Sequence, residues 1–202
     1  MPRLVQAIRF ARTPVLLLAL GLMISACGVN TIPTLEEQAK AKWSDVQNQY
    51  QRRADLIPNL VETVKGYATQ EREVLTQVIE ARAKATQVKV DASTVTDPSK
   101  FKEYQEAQNA LTGALGRLLV TVERYPDLKS NQNFLALQSQ LEGTENRIAV
   151  ARRDYIEAVR AYNTELKTVP GVIWASTLYR SYKPMETFSA PTDAQRVPTV
   201  KF

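Results

Sequence analysis

The sequence predicts an all-α fold, an elongated antiparallel up-and-down helical bundle. Three observations predict it. Good helix formers (Ala, Leu, Gln, Glu, Lys, Arg) dominate, while glycine occurs only 7 times and aromatic residues make up 7%. Apolar residues recur at alternating steps of three and four along four runs, which puts each set on one helix face. Short connections at residues 89–97 and 125–129 join these runs and make successive helices antiparallel neighbours. Seams of this kind favour left-handed packing at about +20°.

The first 26 residues stand apart. Arg3, Arg9 and Arg12 precede an apolar stretch from Pro14 to Met23, and the small pair Ser25-Ala26 follows. That order is a signal peptide's. The apolar part is well short of the roughly 20 residues a spanning helix needs. Ile24-Ser25-Ala26-Cys27 is similar to the bacterial lipobox. The resemblance implies cleavage between Ala26 and Cys27 and a covalent lipid, palmitate among its acyl chains, on Cys27. Two or more acyl chains hold a protein firmly to a membrane. In a Gram-negative cell, Gly28 after the cysteine favours the outer membrane, facing the periplasm. Residues 27–33 read as a short tether.

The helical domain is expected over residues 34–180. Thr34 and Glu37 fit a capping box at its start. Ala39, Trp43, Val46, Tyr50, Arg53 and Ile57 form the first seam, which Arg53 interrupts with a charge. Pro58 lacks an amide donor and clashes with the preceding turn, so the first helix is expected to break at residues 55–58. A second seam runs from Leu60 through Val64, Tyr67, Glu71, Val74 and Val78 to Ala85 and Val88. Asp97-Pro98 starts a third helix, with Pro98 at its first position. Its seam is Phe101, Tyr104, Gln108, Leu111, Leu115, Leu118 and Val122. Gly113 and Gly116 inside it point to close packing. Pro126 stops it, and Ser130 is placed to cap a fourth helix extending to Thr168. Pro170-Gly171 ends that helix. Residues 172–179 read as one or two apolar turns closing the bundle end. Beyond Ser181, Pro184, Pro191 and Pro198 mark residues 181–202 as an extended, loosely held tail.

Composition narrows the function. The net charge is +5, but Arg3, Arg9 and Arg12 supply three of those charges and leave +2 for the rest. That balance does not point to nucleic acid. There is no histidine, and the only cysteine is Cys27. Ser–His and Cys–His nucleophile arrangements are therefore excluded, as is the Glu-x-x-His di-metal site of helical bundles. No catalytic residue, metal or cofactor is expected beyond the lipid. Gly113, Leu115 and Gly116 are not a phosphate loop, since no strand precedes them and no Gly-Lys-Ser/Thr follows. Arg147, Arg152, Arg153 and Arg160 interleave with Glu145, Asp154 and Glu157, so they read as a solvated face. The seam tyrosines read as core residues whose hydroxyls reach the rim.

Residues 52–68, Arg-Arg-Ala-Asp-Leu-Ile-Pro-Asn-Leu-Val-Glu-Thr-Val-Lys-Gly-Tyr-Ala, resemble the signature of the LemA family. So do Tyr125-Pro126-Asp127-Leu128-Lys129, Asn133-Phe134, Leu141-Glu142-Gly143-Thr144-Glu145-Asn146-Arg147-Ile148-Ala149, Tyr155, Tyr162-Asn163, Val169-Pro170-Gly171 and Val200-Lys201-Phe202. The resemblance implies a membrane-attached, elongated bundle of antiparallel helices. It carries no catalytic residues. Many members of that family are held by an N-terminal transmembrane helix, whereas this chain carries the lipobox-like segment.

Two polar features remain. Arg53 and Glu71 both fall on seams, either as a polar site inside the bundle or as groups satisfied by neighbours that set helix register. Arg53, Asp55, Asn59, Glu62, Glu142, Glu145, Asn146 and Arg147 fall in the family-like stretches. They read either as a recognition patch or as ordinary surface and capping residues. The expectation is a lipid-anchored scaffold or adaptor of the bacterial cell envelope that binds an envelope protein. The other reading is a peptide or small-molecule binder using a groove at the helix break, between Arg53 and Glu62.

Overall fold

A computed structural model describes residues 28–88, 91 and 93–189. The signal segment, Ala26, Cys27 and the residues beyond 189, including 200–202, lie outside that range. Among the described residues there are six α-helices, one 3-10 turn and no strand. They are α1 (Thr31–Tyr67), α2 (Arg72–Gln87), the 3-10 turn (Thr94–Thr96), α3 (Pro98–Val122), α4 (Pro126–Lys129), α5 (Gln132–Glu165) and α6 (Gly171–Thr177). The all-α expectation holds.

Cross-helix hydrogen bonds show the up-and-down order. Arg82 Nε on α2 donates to the Ala54 carbonyl on α1 at 2.8 Å. Gln108 Nε2 on α3 donates to the Ala85 carbonyl on α2 at 3.2 Å. Asn131 Nδ2, just before α5, donates to the Tyr67 hydroxyl at 2.8 Å. With 37 residues, α1 is about 55 Å long at 1.5 Å per residue. Its main partner is the antiparallel α5.

Several expected boundaries move. α1 begins at Thr31, not at a Thr34 capping box, and no side chain caps it. Ile32 is wholly buried in the core, so packing extends the helix into the expected tether. Pro33 is tolerated there because the first turn has no use for its amide.

The break expected at residues 55–58 is absent, and Pro58 lies inside α1. Proline removes the donor that would bond the Ala54 carbonyl. Arg82 supplies one from α2 instead. Ile57 and Leu60, on either side, are 1% and 0% exposed. The chain reverses at residues 68–71, inside the second predicted seam. A longer α1 would outrun α5, whose start lies opposite Tyr67. Reversal instead returns Leu75, Val78 and Ala85 to the core.

Asp97 caps α3 as expected, its Oδ1 accepting from the amides of Ser99 at 2.9 Å and Lys100 at 3.2 Å. The cap of α5 is Asn131 rather than Ser130, through the Phe134 amide at 3.1 Å. α5 ends at Glu165, short of Thr168, and Val169 is 77% exposed. Close packing at Gly113 and Gly116 is not found. A methyl group at Gly116 would meet nothing within 4 Å, and one at Gly113 only the Arg117 guanidinium at 3.7 Å. Gly171 is the glycine whose size matters, because a β-carbon there would collide with the Glu165 carbonyl oxygen.

The tail expected to be loose is held down as far as Ser189. Met185 and Phe188 are 4% and 8% exposed. Asn163 grips Met185 twice, donating to its carbonyl and accepting from its amide, both at 2.9 Å. The hydroxyls of Tyr155 and Tyr162 donate to the carbonyls of Glu186 at 2.8 Å and Lys183 at 3.0 Å. The Glu186 amide donates to the Val95 carbonyl at 2.7 Å. An extended backbone in a core needs external partners for its polar groups, and these side chains supply them.

Candidate functional site

The core falls into two clusters. One contains Trp43, Tyr50, Phe101, Tyr104, Tyr155, Tyr162 and Phe188. The other contains Ile57, Leu60, Val64, Leu75, Leu111, Leu118 and Leu141. Arg53 sits on α1 between Tyr50 and Ile57, at the boundary. It is 1% exposed and the largest wholly buried side chain. Its position in the apolar seam forces the guanidinium inward.

Partners converge on it from two other helices. Nη1 donates to Thr112 Oγ1 and to Glu145 Oε1, both at 2.8 Å. Nη2 donates to Gln108 Oε1 at 2.7 Å and to the Gln108 carbonyl at 3.3 Å. The guanidinium carbon lies 5.0 Å from the centre of the Tyr50 ring, in cation–π range. Nε has no partner. Gln108 is itself oriented by the Ala85 carbonyl, so the layer ties α1, α2, α3 and α5 at one level. Burying an arginine is costly unless partners offset its lost hydration, and here both Nη atoms are paired. Sliding any one helix by a turn would break these bonds. Of the two readings of seam Arg53, the geometry is that of a register-setting layer satisfied by neighbours. Its one carboxylate, Glu145, has 39% of its side chain exposed, so the layer reaches solvent there.

Tyr50 and Tyr104 beside the layer stay protonated phenols. Burial raises the pKa of Tyr50 and Tyr104 above the usual phenol value. Burial likewise pushes Tyr162 up to about 12.

The other predicted residues do not join this layer. Glu71 lies at the far end of the rod, accepting from Arg124 Nη2 at 3.1 Å and the Tyr125 hydroxyl at 2.8 Å. Asp55 is exposed and accepts from Gln51. Glu142 is exposed and accepts from Gln138. Asn59 and Glu62 line a shallow groove between α1 and α5 with Asn133 and Gln140. Asn146 and Arg147 line a second one with Asp45 and Gln49. The eight residues are therefore one ion pair, buried Arg53 with half-exposed Glu145, and six exposed groups spread along the rod. α1 does not break between Arg53 and Glu62, so the groove at Asn59 and Glu62 runs along a continuous helix rather than opening at a kink. Sequence reasoning missed Gln108 and Thr112 as partners of Arg53. The available signal was Gln108, a polar residue in an apolar seam. Among the described residues no helix is long and apolar enough to cross a membrane.

Comparison with protein families matches residues 42–202 to the LemA family. Magnetosome protein MamQ 2 of Paramagnetospirillum magneticum is 27% identical over 157 residues, covering 70% of this chain and 58% of that protein. Magnetosome protein MamQ of Magnetospirillum gryphiswaldense is 25% identical over 186 residues, covering 80% and 68%. Protein LemA of Metamycoplasma hominis is 25% identical over 123 residues, covering 61% and 52%. The chain thus spans less than two thirds of the length of the first of these relatives.

Proposed function

The chain belongs to the LemA family, and from that premise we propose that it is a lipid-anchored helical scaffold of the bacterial cell envelope that binds a protein partner. The observation that supports this reading is the pair of shallow grooves between α1 and α5, lined by apolar and polar side chains together. Asp45, Gln49, Asn59 and Thr63 follow one stripe of α1, and Asn133, Gln140, Arg147 and Asp154 follow one stripe of α5. From Asp45 to Asn59 is about 21 Å of helix. The stripe offers an elongated partner a row of hydrogen-bonding groups on a backbone that the Arg53 layer holds rigid. The anchor in this proposal is the lipid on Cys27, and the compartment is the outer membrane, facing the periplasm, in a Gram-negative cell.

Crosslinking in intact cells followed by immunoprecipitation tests the scaffold. The expected result is a partner recovered reproducibly with the full chain and lost with Glu62→Lys and Arg147→Glu together. Recovering nothing above a Cys27→Ala control sinks the reading. Intact mass of the membrane-extracted protein tests the anchor, which requires cleavage before residue 27 and the added mass of acyl chains.

A further inference from the structure

The two ends of the rod differ in what they expose. Nine large apolar residues are exposed among the described residues, and four of them lie between positions 169 and 178. Val169, Val172, Ile173 and Leu178 are 77%, 38%, 50% and 63% exposed. The remaining five are scattered along the rod, as single surface apolar residues usually are. α6 is not free to turn this face inward. Trp174 and Ala175, and the following Tyr179, pack on the aromatic core.

The chain enters the described structure at this same end. A methyl group on Gly28 would lie 3.2 Å from Pro170 Cγ and 3.9 Å from Trp174 Nε1. The apolar stretch ending at Met23 is five residues from Gly28, a leash of at most about 18 Å. Cys27 is one residue away. Whichever of the two enters lipid, α6 is tied to the bilayer surface. Lys167 and Arg180, both exposed, flank the apolar face and suit an anionic leaflet.

We propose that this end is a lipid-docking face: Val169, Val172, Ile173 and Leu178 enter the interfacial layer of the bilayer that anchors the chain, with Lys167 and Arg180 at the headgroups. The proposal rests on the membrane anchorage put forward above. It adds that the rod stands on the membrane by its α6 end and does not swing freely from its tether.

The test is photocrosslinking of the full chain in living cells. p-Benzoylphenylalanine is placed at position 173, 178 or, as the distant control, the exposed Val120. Membrane flotation of the same samples reports anchorage separately. The expected result is flotation of all three proteins, phospholipid adducts from positions 173 and 178 by mass spectrometry, and none from 120. Flotation with equal lipid labelling at all three positions, or with none, overturns the docking face and leaves the anchor standing. A crosslink from 173 or 178 to a second copy or to another protein, without lipid adducts, also overturns it. Failure to float overturns both readings.

Discussion

The half of the rod nearest Gly28 and the half beyond Arg53 solve one packing problem in different ways. Beyond Arg53, α1, α2, α3 and α5 run side by side, and Leu, Ile and Val fill the space between them. On the near side α2 has already ended at Gln87. An extended segment, residues 183–188, packs there instead, among Trp43, Phe101, Tyr104 and Tyr155. Trp43 is the hub, its ring centre 5.3 Å from both Tyr104 and Tyr155, 5.7 Å from Phe101 and 6.0 Å from Phe188. A helix satisfies its own backbone, so aliphatic neighbours are enough. An extended segment does not, so its neighbours must combine apolar bulk with a hydrogen-bonding tip. Tyr155, Tyr162 and Asn163 meet that need. The core chemistry of each half follows from whether its last layer is helical.

Removing the boundary should have the largest effect. Arg53→Ala leaves a cavity and unpaired groups at Gln108 and Thr112, and should cost about 3 kcal/mol. Both halves should loosen, because the layer ties them in register. Urea denaturation with a fluorescence readout from the two tryptophans checks this. A change below about 1 kcal/mol would mean that Arg53 does not hold the register.

Asn163→Ala should separate the halves. It removes two hydrogen bonds to Met185 and should cost about 2 kcal/mol. Hydrogen exchange should rise at Met185 and Glu186 while amides around Leu118 keep their protection. Uniform loss of protection would show that the two halves are not separable units.

The smallest effect concerns the unbroken helix. Arg82→Ala leaves the Ala54 carbonyl without a donor and should cost about 1–2 kcal/mol. In a Pro58→Ala background the restored amide serves that carbonyl, and the cost should fall. A double-mutant cycle measures the coupling. Equal costs in both backgrounds would mean that Arg82 does not replace the missing amide.

Much of this was legible without coordinates. The three-four spacing placed Trp43, Val46, Tyr50, Arg53 and Ile57 on one face, and all five are buried. Charge among apolar residues marked Arg53 as unusual, and Asp97-Pro98 marked the start of α3. Periodicity and capping act within a few residues of one helix, so a linear reading can find them.

Other features depend on groups far apart in the chain, and only tertiary structure decided them. Pro58 reads as a break until Arg82, from another helix, supplies the missing donor. Residues 68–71 keep a helical pattern, yet the chain turns there because α5 offers nothing further to pack on. Residues 181–189 read as a loose tail until Tyr155, Tyr162 and Asn163 provide partners for their backbone. Spacing along one helix tells which side chains point inward; only packing tells what waits there to bond them.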